Sequence, residues 1–238
     1  MKKLNKLQLS FARYMLKMPK STPIPILNWD FGLLTMEYEI IKKKLNLAHH
    51  IATLDEESLA NEIFIVQKKF NFPGLVQESI DLLKDLNLPD ITNTDIASGW
   101  TKAQWKRELK KKIHDKCEAE LKERMSTYSK LKDGPVMTES FGMRDYMREM
   151  TVEDARVKFA LRSEMYDVAF NYRSDPKNSA DLWRCDSCMS GHIQTQSHIL
   201  FCEAFADLRK DKDLKSDKDL VNYMKNVLII REKLDLLK

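Results

Sequence analysis

Glycine and proline are scarce, at 6 and 7 of 238 residues. A turn-rich all-β chain needs more of both, so the composition favours helices. No apolar run approaches the roughly 20 residues that cross a bilayer, which predicts no membrane partner. The four cysteines are too few and too clustered for a disulfide framework. Three of them fall between 185 and 202, which points to metal in a reducing, intracellular compartment. No glycine-rich phosphate loop and no nucleophile elbow occurs. No acidic residue precedes Asp30, whereas Lys2, Lys3, Lys6, Arg13, Lys17 and Lys20 do. That amphipathic opening fits a mitochondrial presequence in composition, but its helical pattern continues into a segment that reads as folded.

What is present suffices for a core. Hydrophobic residues make up 43% and charged residues 32%, which excludes wholesale disorder. The net charge of +4 says little by itself. Its distribution says more, because Lys102, Lys106, Arg107, Lys110, Lys111 and Lys112 are opposed locally by the single acid Glu108. Such a cluster suits a phosphate backbone as well as a solvated helix face.

The pattern predicts a mainly α, multi-helix protein in three stretches: 1–90, 91–135 and 136–238. Leu4, Leu7, Phe11, Tyr14, Met15 and Met18 share one helical face and are expected inward, with Lys6, Arg13 and Lys17 outside. Two prolines predict an extended segment over 20–25. A helix from about Thr35 to Ala52 is expected to turn Met36, Ile40, Leu47 and Ile51 inward. Asp55 or Ser58 is placed to cap the next one, which carries Leu59, Ile63, Phe64 and Val66. Pro73-Gly74 breaks that helix, and another covers 75–86. A polar connection at 87–100 marks a candidate boundary. Thr101 and Gln104 then form a capping box. Trp105, Leu109, Ile113, Cys117, Leu121, Met125 and Tyr128 follow as one long stripe, ended by Asp133-Gly134-Pro135. Cys117 on that stripe reads as a buried small hydrophobe. His49 and His50 are adjacent, so on a helix they diverge instead of sharing a metal. Near Thr151 a further helix begins, with Asp154 in its first turn and Val152, Ala155, Phe159, Val168, Ala169 and Tyr172 as its apolar side. Asp175-Pro176-Lys177-Asn178 reads as a turn, and a last helix covers about 218–237.

The sharpest motif is Cys185-x2-Cys188-x9-His198-x3-Cys202. Two cysteines separated by two residues fold over one ion through a tight turn. A histidine and a cysteine four apart lie on one helix face. Three thiolates and one imidazole make a closed Zn2+ set with no open position for water, which argues for scaffolding over hydrolysis. The loop from Met189 to Ser197 is short and polar and has little to fold with unless an ion holds it. His192 competes as a ligand, but it follows Gly191 in that loop, so His198 is favoured.

The segments Cys185-Asp-Ser-Cys188 and Thr195-Gln-Ser-His-Ile-Leu-Phe-Cys-Glu-Ala-Phe-Ala-Asp-Leu-Arg209 resemble the zinc knuckle near the C-terminus of non-LTR (LINE-type) retrotransposon reverse transcriptases. Lys20-Ser-Thr-Pro23, Phe31-Gly-Leu-Leu-Thr-Met36, Lys43–Ile51, Asp154–Phe159 and Asp175-Pro-Lys177 also resemble the helical region after the polymerase domain in that family. The resemblance implies a non-catalytic region that grips RNA and target DNA during target-primed reverse transcription. It also implies a reverse-transcriptase core as partner, in cis or in trans, and a nuclear and cytoplasmic ribonucleoprotein. Adjacent aspartates, which hold catalytic magnesium there, occur nowhere in this chain. The expectation is therefore an excised piece, a truncated element or a co-opted remnant, and no enzyme.

Lys106, Lys110, Arg156 and Arg162 are the expected phosphate contacts. Trp183 and Phe201 are placed either to stack on unpaired bases or, the favoured reading, to pack around the ion. Two alternatives stand beside the nucleic-acid reading. One is a structural or protein-interaction module in which zinc only braces helices. The other is a restriction-like nuclease, from Pro89-Asp90 with Glu108-x-Lys110. The nuclease reading is weak, since Glu108 and Lys110 lie two apart on a helical pattern and diverge.

Overall fold

A computed structural model describes residues 2–55, 57–131, 135–167, 171, 183–188 and 190–235. The chain is 66% helical. Its described residues contain no strand, only an isolated antiparallel bridge between Arg184 and Ile193. The parts expected at Val168, Ala169, Tyr172, 175–178, Met189 and 133–134 lie outside the described residues. The chain divides into two compact units, Met1–Gln8 with Gly32–Arg124, and Leu9–Phe31 with Met125–Lys238. This division differs from three consecutive stretches: residues 102–124 belong with 32–101, and 9–31 with the C-terminal half.

The first unit is built around α3 (Met36–Ala52), which packs against α4 (Leu59–Lys69), α5 (Leu75–Asp85) and the short α6 (Thr94–Ser98). Thr35 stands at the α3 N-cap, and Asn5 Oδ1 accepts from the Met36 N–H at 2.8 Å. Asn93 caps α6 by accepting from the Asp95 N–H at 2.9 Å. The capping box of α7 (Lys102–Ser126) forms as read: the Thr101 N–H donates to Gln104 Oε1 at 3.0 Å and the Gln104 N–H to Thr101 Oγ1 at 3.3 Å.

Six of the seven residues of the α7 stripe, Trp105 through Met125, are at most 2% exposed, and only Tyr128 emerges. A step of four overshoots one helical turn by about 40°, so five steps carry the buried seam about 200° round the axis. A narrow amphipathic face is not what buries this helix. Cys117 lies within the seam, and burial pushes its thiol up to about 11, as suits an inert small hydrophobe.

Two faces reverse the expectation. In α1 (Lys2–Met15) the buried residues are Leu9 and Ala12, followed by Leu16, whereas Leu4, Leu7, Phe11, Tyr14 and Met15 are 40–79% exposed. In α3 the buried face is Tyr38, Leu45, Ala48, His49 and Ala52; of the residues expected inward, Met36, Ile40 and Ile51 are half-buried and Leu47 is exposed. Each helix carries apolar residues on two sides, and the side that meets the rest of the fold is the one that closes. Tyr38 packs inward and donates its hydroxyl to Glu120 at 2.6 Å. α4 likewise buries Phe64 and Asn61 and leaves Leu59, Ile63, Val66 and Phe70 on one exposed stripe.

In the second unit α2 (Ile24–Phe31) replaces the extended segment expected through Pro25. Pro25 falls in its first turn, where a missing N–H costs no helical hydrogen bond. Six of its eight residues are buried. One of them, Asp30, is fully buried; it accepts from Arg162 at 2.8 and 3.0 Å and from the Tyr146 hydroxyl at 2.7 Å. Glu139 binds the other edge of the Arg162 guanidinium at 2.5 and 3.0 Å, and also Arg144 at 3.2 Å. This network joins α2 to α8 (Tyr146–Glu149) and α9 (Val152–Arg162). Thr151 caps α9 by accepting from the Asp154 N–H at 3.2 Å, while Asp154 accepts from Thr151 and from Lys225. α9 packs on α12 (Asp217–Asp235).

Candidate metal centre

Cys185 opens the knuckle. Its N–H donates to the His192 carbonyl at 2.7 Å, and the Gln194 N–H donates to the Trp183 carbonyl at 2.6 Å. These two bonds fold the polar loop back beside the Cys185–Cys188 turn. Gly191 makes the reversal at φ +77, a conformation that disfavours any side chain. The chain then enters α10 (Gln196–Phe201), whose N-cap Thr195 accepts from the His198 N–H at 3.0 Å. Cys202 immediately follows the helix, so His198 and Cys202 approach from one side as their spacing requires.

Cys185, Cys188, His198 and Cys202 each present a ligand atom, and all four atoms lie within 4.8 Å of one another. The Cys185 and Cys202 sulfurs are 3.8 Å apart, and the Cys188 sulfur is 3.5 Å from His198 Nε2. A tetrahedral ion bound at about 2.3 Å to sulfur and about 2.0–2.1 Å to nitrogen has ligand–ligand edges of about 3.5–3.8 Å. The group can therefore hold a metal ion. His192 is not among the four; its ring lies 5.5 Å from that of His198.

The thiols are electrostatically unequal. For Cys188, burial raises the pKa, but hydrogen bonds from Ser190 outweigh it and bring the thiol down to about 6. Burial pushes Cys202 up to about 12. One sulfur sheds its proton readily and another holds it, so a cation must displace the remaining protons as it binds.

The site is part of the core. Cys185 and Cys202 are at most 2% exposed and belong to an apolar cluster with Leu161, Tyr166, Ile199, Phe205, Tyr223 and Val227. Three carbonyls at the end of α10 are taken up by side chains: Ile199 by the Tyr223 hydroxyl at 2.7 Å, Cys202 by Arg209 at 2.6 Å and Phe201 by Arg209 at 3.3 Å. Gln196 donates to the Leu161 carbonyl at 3.0 Å, tying the knuckle to α9. Sequence reasoning missed these supports, because a tyrosine and an arginine 21 and 7 residues beyond Cys202 leave no spacing signature. Among the described residues no other His, Cys, Asp or Glu group gathers in this way.

Phe201 is 75% exposed and Ile193 47% exposed, so the expected packing of Phe201 around the ion does not occur. Trp183 is half-buried. The basic residues separate into two kinds. Lys102, Lys106, Arg107, Lys110 and Lys111 on α7 are exposed and form no ion pair among the described residues. Arg156 on α9 is likewise exposed and forms no ion pair among the described residues. Arg162 corrects the expectation. Its side chain is 10% exposed and its guanidinium is occupied by Asp30 and Glu139, so it cannot also meet a phosphate.

The nuclease pattern also disperses. Asp90 is held by the Thr92 N–H at 3.0 Å, the Thr92 hydroxyl and Lys68. Glu108 and Lys110 lie on α7 about 200° apart round the axis.

No protein-family profile, no curated protein and no solved structure matches this chain. No described helix is long and apolar enough to cross a membrane.

Proposed function

We propose that the Cys3His centre binds one structural zinc ion and that the protein is a non-catalytic nucleic-acid-binding region of retroelement origin. Two ligand–ligand separations, 3.5 and 3.8 Å, match the edges of a tetrahedral site and support a bound metal ion. Three thiolates select a borderline-soft ion over magnesium or calcium, and a filled coordination shell leaves no place for a catalytic water. The nucleic-acid reading is supported by Phe201, an aromatic ring three-quarters exposed on the helix that supplies His198. An exposed ring beside a rigid metal turn offers a stacking surface for an unpaired base. Unpaired cations on α7 and at Arg156 supply phosphate contacts. The resemblance of the knuckle segment to LINE-type reverse transcriptases points the same way and suggests a polymerase core as partner.

The test is a titration of single-stranded RNA and duplex DNA onto the zinc-loaded protein at about 50 and about 200 mM salt. Affinity is expected to fall steeply with salt. Phe201→Ala should weaken single-stranded binding by about 1–3 kcal/mol while sparing zinc content. A salt-insensitive complex, or none at the lower salt, refutes the reading.

One observation favours the protein-interaction alternative. The exposed stripe Leu59, Ile63, Val66 and Phe70 on α4 has the i, i+4, i+7, i+11 spacing of a helix laid into an apolar groove. If nucleic acid fails to bind at low salt, that surface becomes the leading site.

A further inference from the structure

α4 packs on α3 and α5 with Phe64 and Asn61 buried, at most 2% exposed. Its other side is apolar and open. Leu59, Ile63, Val66 and Phe70 are 70, 49, 45 and 60% exposed. At about 100° per residue they fall within an arc of about 60°, opposite the buried pair. Phe72, 53% exposed, lies against Phe70 with ring centroids 6.0 Å apart and widens the apolar end.

The spacing is that of a seam. Steps of four, three and four are the d, a, d and a positions of a coiled coil. The residues beside the seam decide what can cover it. One flank carries Glu62, in the first turn of α4, and Lys69, in the last, both exposed. The other flank carries Ala60 and Gln67, which have no charge. Neither Glu62 nor Lys69 forms an ion pair among the described residues. The Lys69 ammonium lies 5.7 Å from the centroid of the Phe70 ring, so it stands at the edge of the seam.

These flanks distinguish the two ways in which α4 can meet a second α4. In a parallel pair unlike flanks meet, Glu62 faces the neutral Gln67, and Lys69 finds no charge. In an antiparallel pair like flanks meet. Leu59 then stands against Phe70 and Ile63 against Val66, and Glu62 of each copy reaches Lys69 of the other. A two-fold axis makes every one of these contacts twice. No like charges are brought together. The helix is therefore complementary to a second copy of itself run the opposite way, in apolar register and in charge.

We propose that this face is a self-association surface, through which two copies of the chain pair α4 against α4, antiparallel, across a two-fold axis. Four apolar side chains from each copy make a small interface. The dimer is therefore weak and concentration-dependent, with a dissociation constant on the order of tens of micromolar.

The experiment is sedimentation equilibrium of the zinc-loaded chain from about 2 to about 300 μM. The expected result is a reversible monomer–dimer equilibrium. Ile63→Glu and Val66→Glu, both on exposed residues, should each weaken it about tenfold or more, because a carboxylate then enters the dry seam. Unchanged circular dichroism and zinc content show that these variants fold. Glu62→Lys or Lys69→Glu alone sets like charges together and should weaken the dimer about threefold or more, and the two together should restore it. Should the swapped charges loosen α4, Glu62→Gln and Lys69→Gln decide the orientation instead: each removes both pairs, so combining them should cost no more than either alone. A chain that stays monomeric over the whole range overturns the proposal. So does a dimer that survives Ile63→Glu and Val66→Glu, or one whose charge variants neither compensate nor fail to add.

Pairing through α4 does not depend on nucleic-acid binding, and it gives the protein-interaction alternative a defined partner. A monomer that binds RNA overturns the dimer alone. A dimer that binds no nucleic acid supports the α4 surface and counts against the nucleic-acid reading.

Discussion

Replacing Asp30 by asparagine tests the account of the second unit most directly. Asp30 has no exposed surface and receives two hydrogen bonds from Arg162 and one from Tyr146, and Arg144 lies 3.4 Å away. The Arg162 pKa is raised despite burial, because Glu139 and Asp30 hold its charge. The substitution Asp30→Asn keeps the shape but removes the negative charge, leaving Glu139 alone to balance two guanidinium groups. Breaking one partner of a buried ion pair costs about 3–5 kcal/mol. That is a large part of the roughly 5–15 kcal/mol that holds a domain folded. Urea unfolding at pH 7 with zinc present should show that loss. Hydrogen exchange should locate it in peptides from 139–162, with peptides from 75–88 protected as before. Asp30→Leu with Arg162→Met should lose less than Asp30→Leu alone, since both buried charges then go together. A cost below about 1 kcal/mol for Asp30→Asn, or a loss spread evenly over both units, would refute the reasoning.

Four further outcomes are expected. Stripping the metal with a strong chelator, or Cys185→Ser, should abolish one equivalent of bound zinc and loosen the cluster around Ile199, Tyr223 and Val227, seen as lost near-ultraviolet dichroism; unchanged dichroism after complete removal would contradict a structural role. At α1 and the residue that follows it, Leu16→Ala should cost about 2–5 kcal/mol and Phe11→Gln less than about 0.5 kcal/mol by urea unfolding, the reverse of what the larger apolar stripe suggests. Lys106→Ala with Lys110→Ala should lower the salt slope of nucleic-acid binding by about two, whereas Arg162→Ala should damage stability and leave the slope intact. For Glu139, burial raises the pKa, but Arg162 and Arg144 outweigh it and hold it below its ordinary 4.5. Its contribution to stability is complete above that value and is lost as pH falls through the lowered one. Glu139→Gln should therefore show a smaller fall in urea midpoint than the parent chain below about pH 4.5.

Local chemistry was readable from the order of residues wherever one segment contains both partners. The Thr101–Gln104 box is decided within four residues. The Cys-x2-Cys and His-x3-Cys spacings brought each ligand pair together for the same reason, and the α7 stripe followed from helical geometry. Tertiary structure decided what the chain order leaves ambiguous. α1 and α3 each carry two apolar sides, and only the surface they meet selects one. Pro25 permits either an extended segment or a first helical turn, and the burial available to Trp29 and Asp30 selects the helix. Arg162 and Arg156 are alike in sequence, yet a carboxylate 132 residues away takes one and leaves the other to solvent. Spacing fixes which atoms can reach one another along a helix or turn. Whether a face is covered, or a charge already answered, depends on residues remote in the chain, and only the folded structure brings those together.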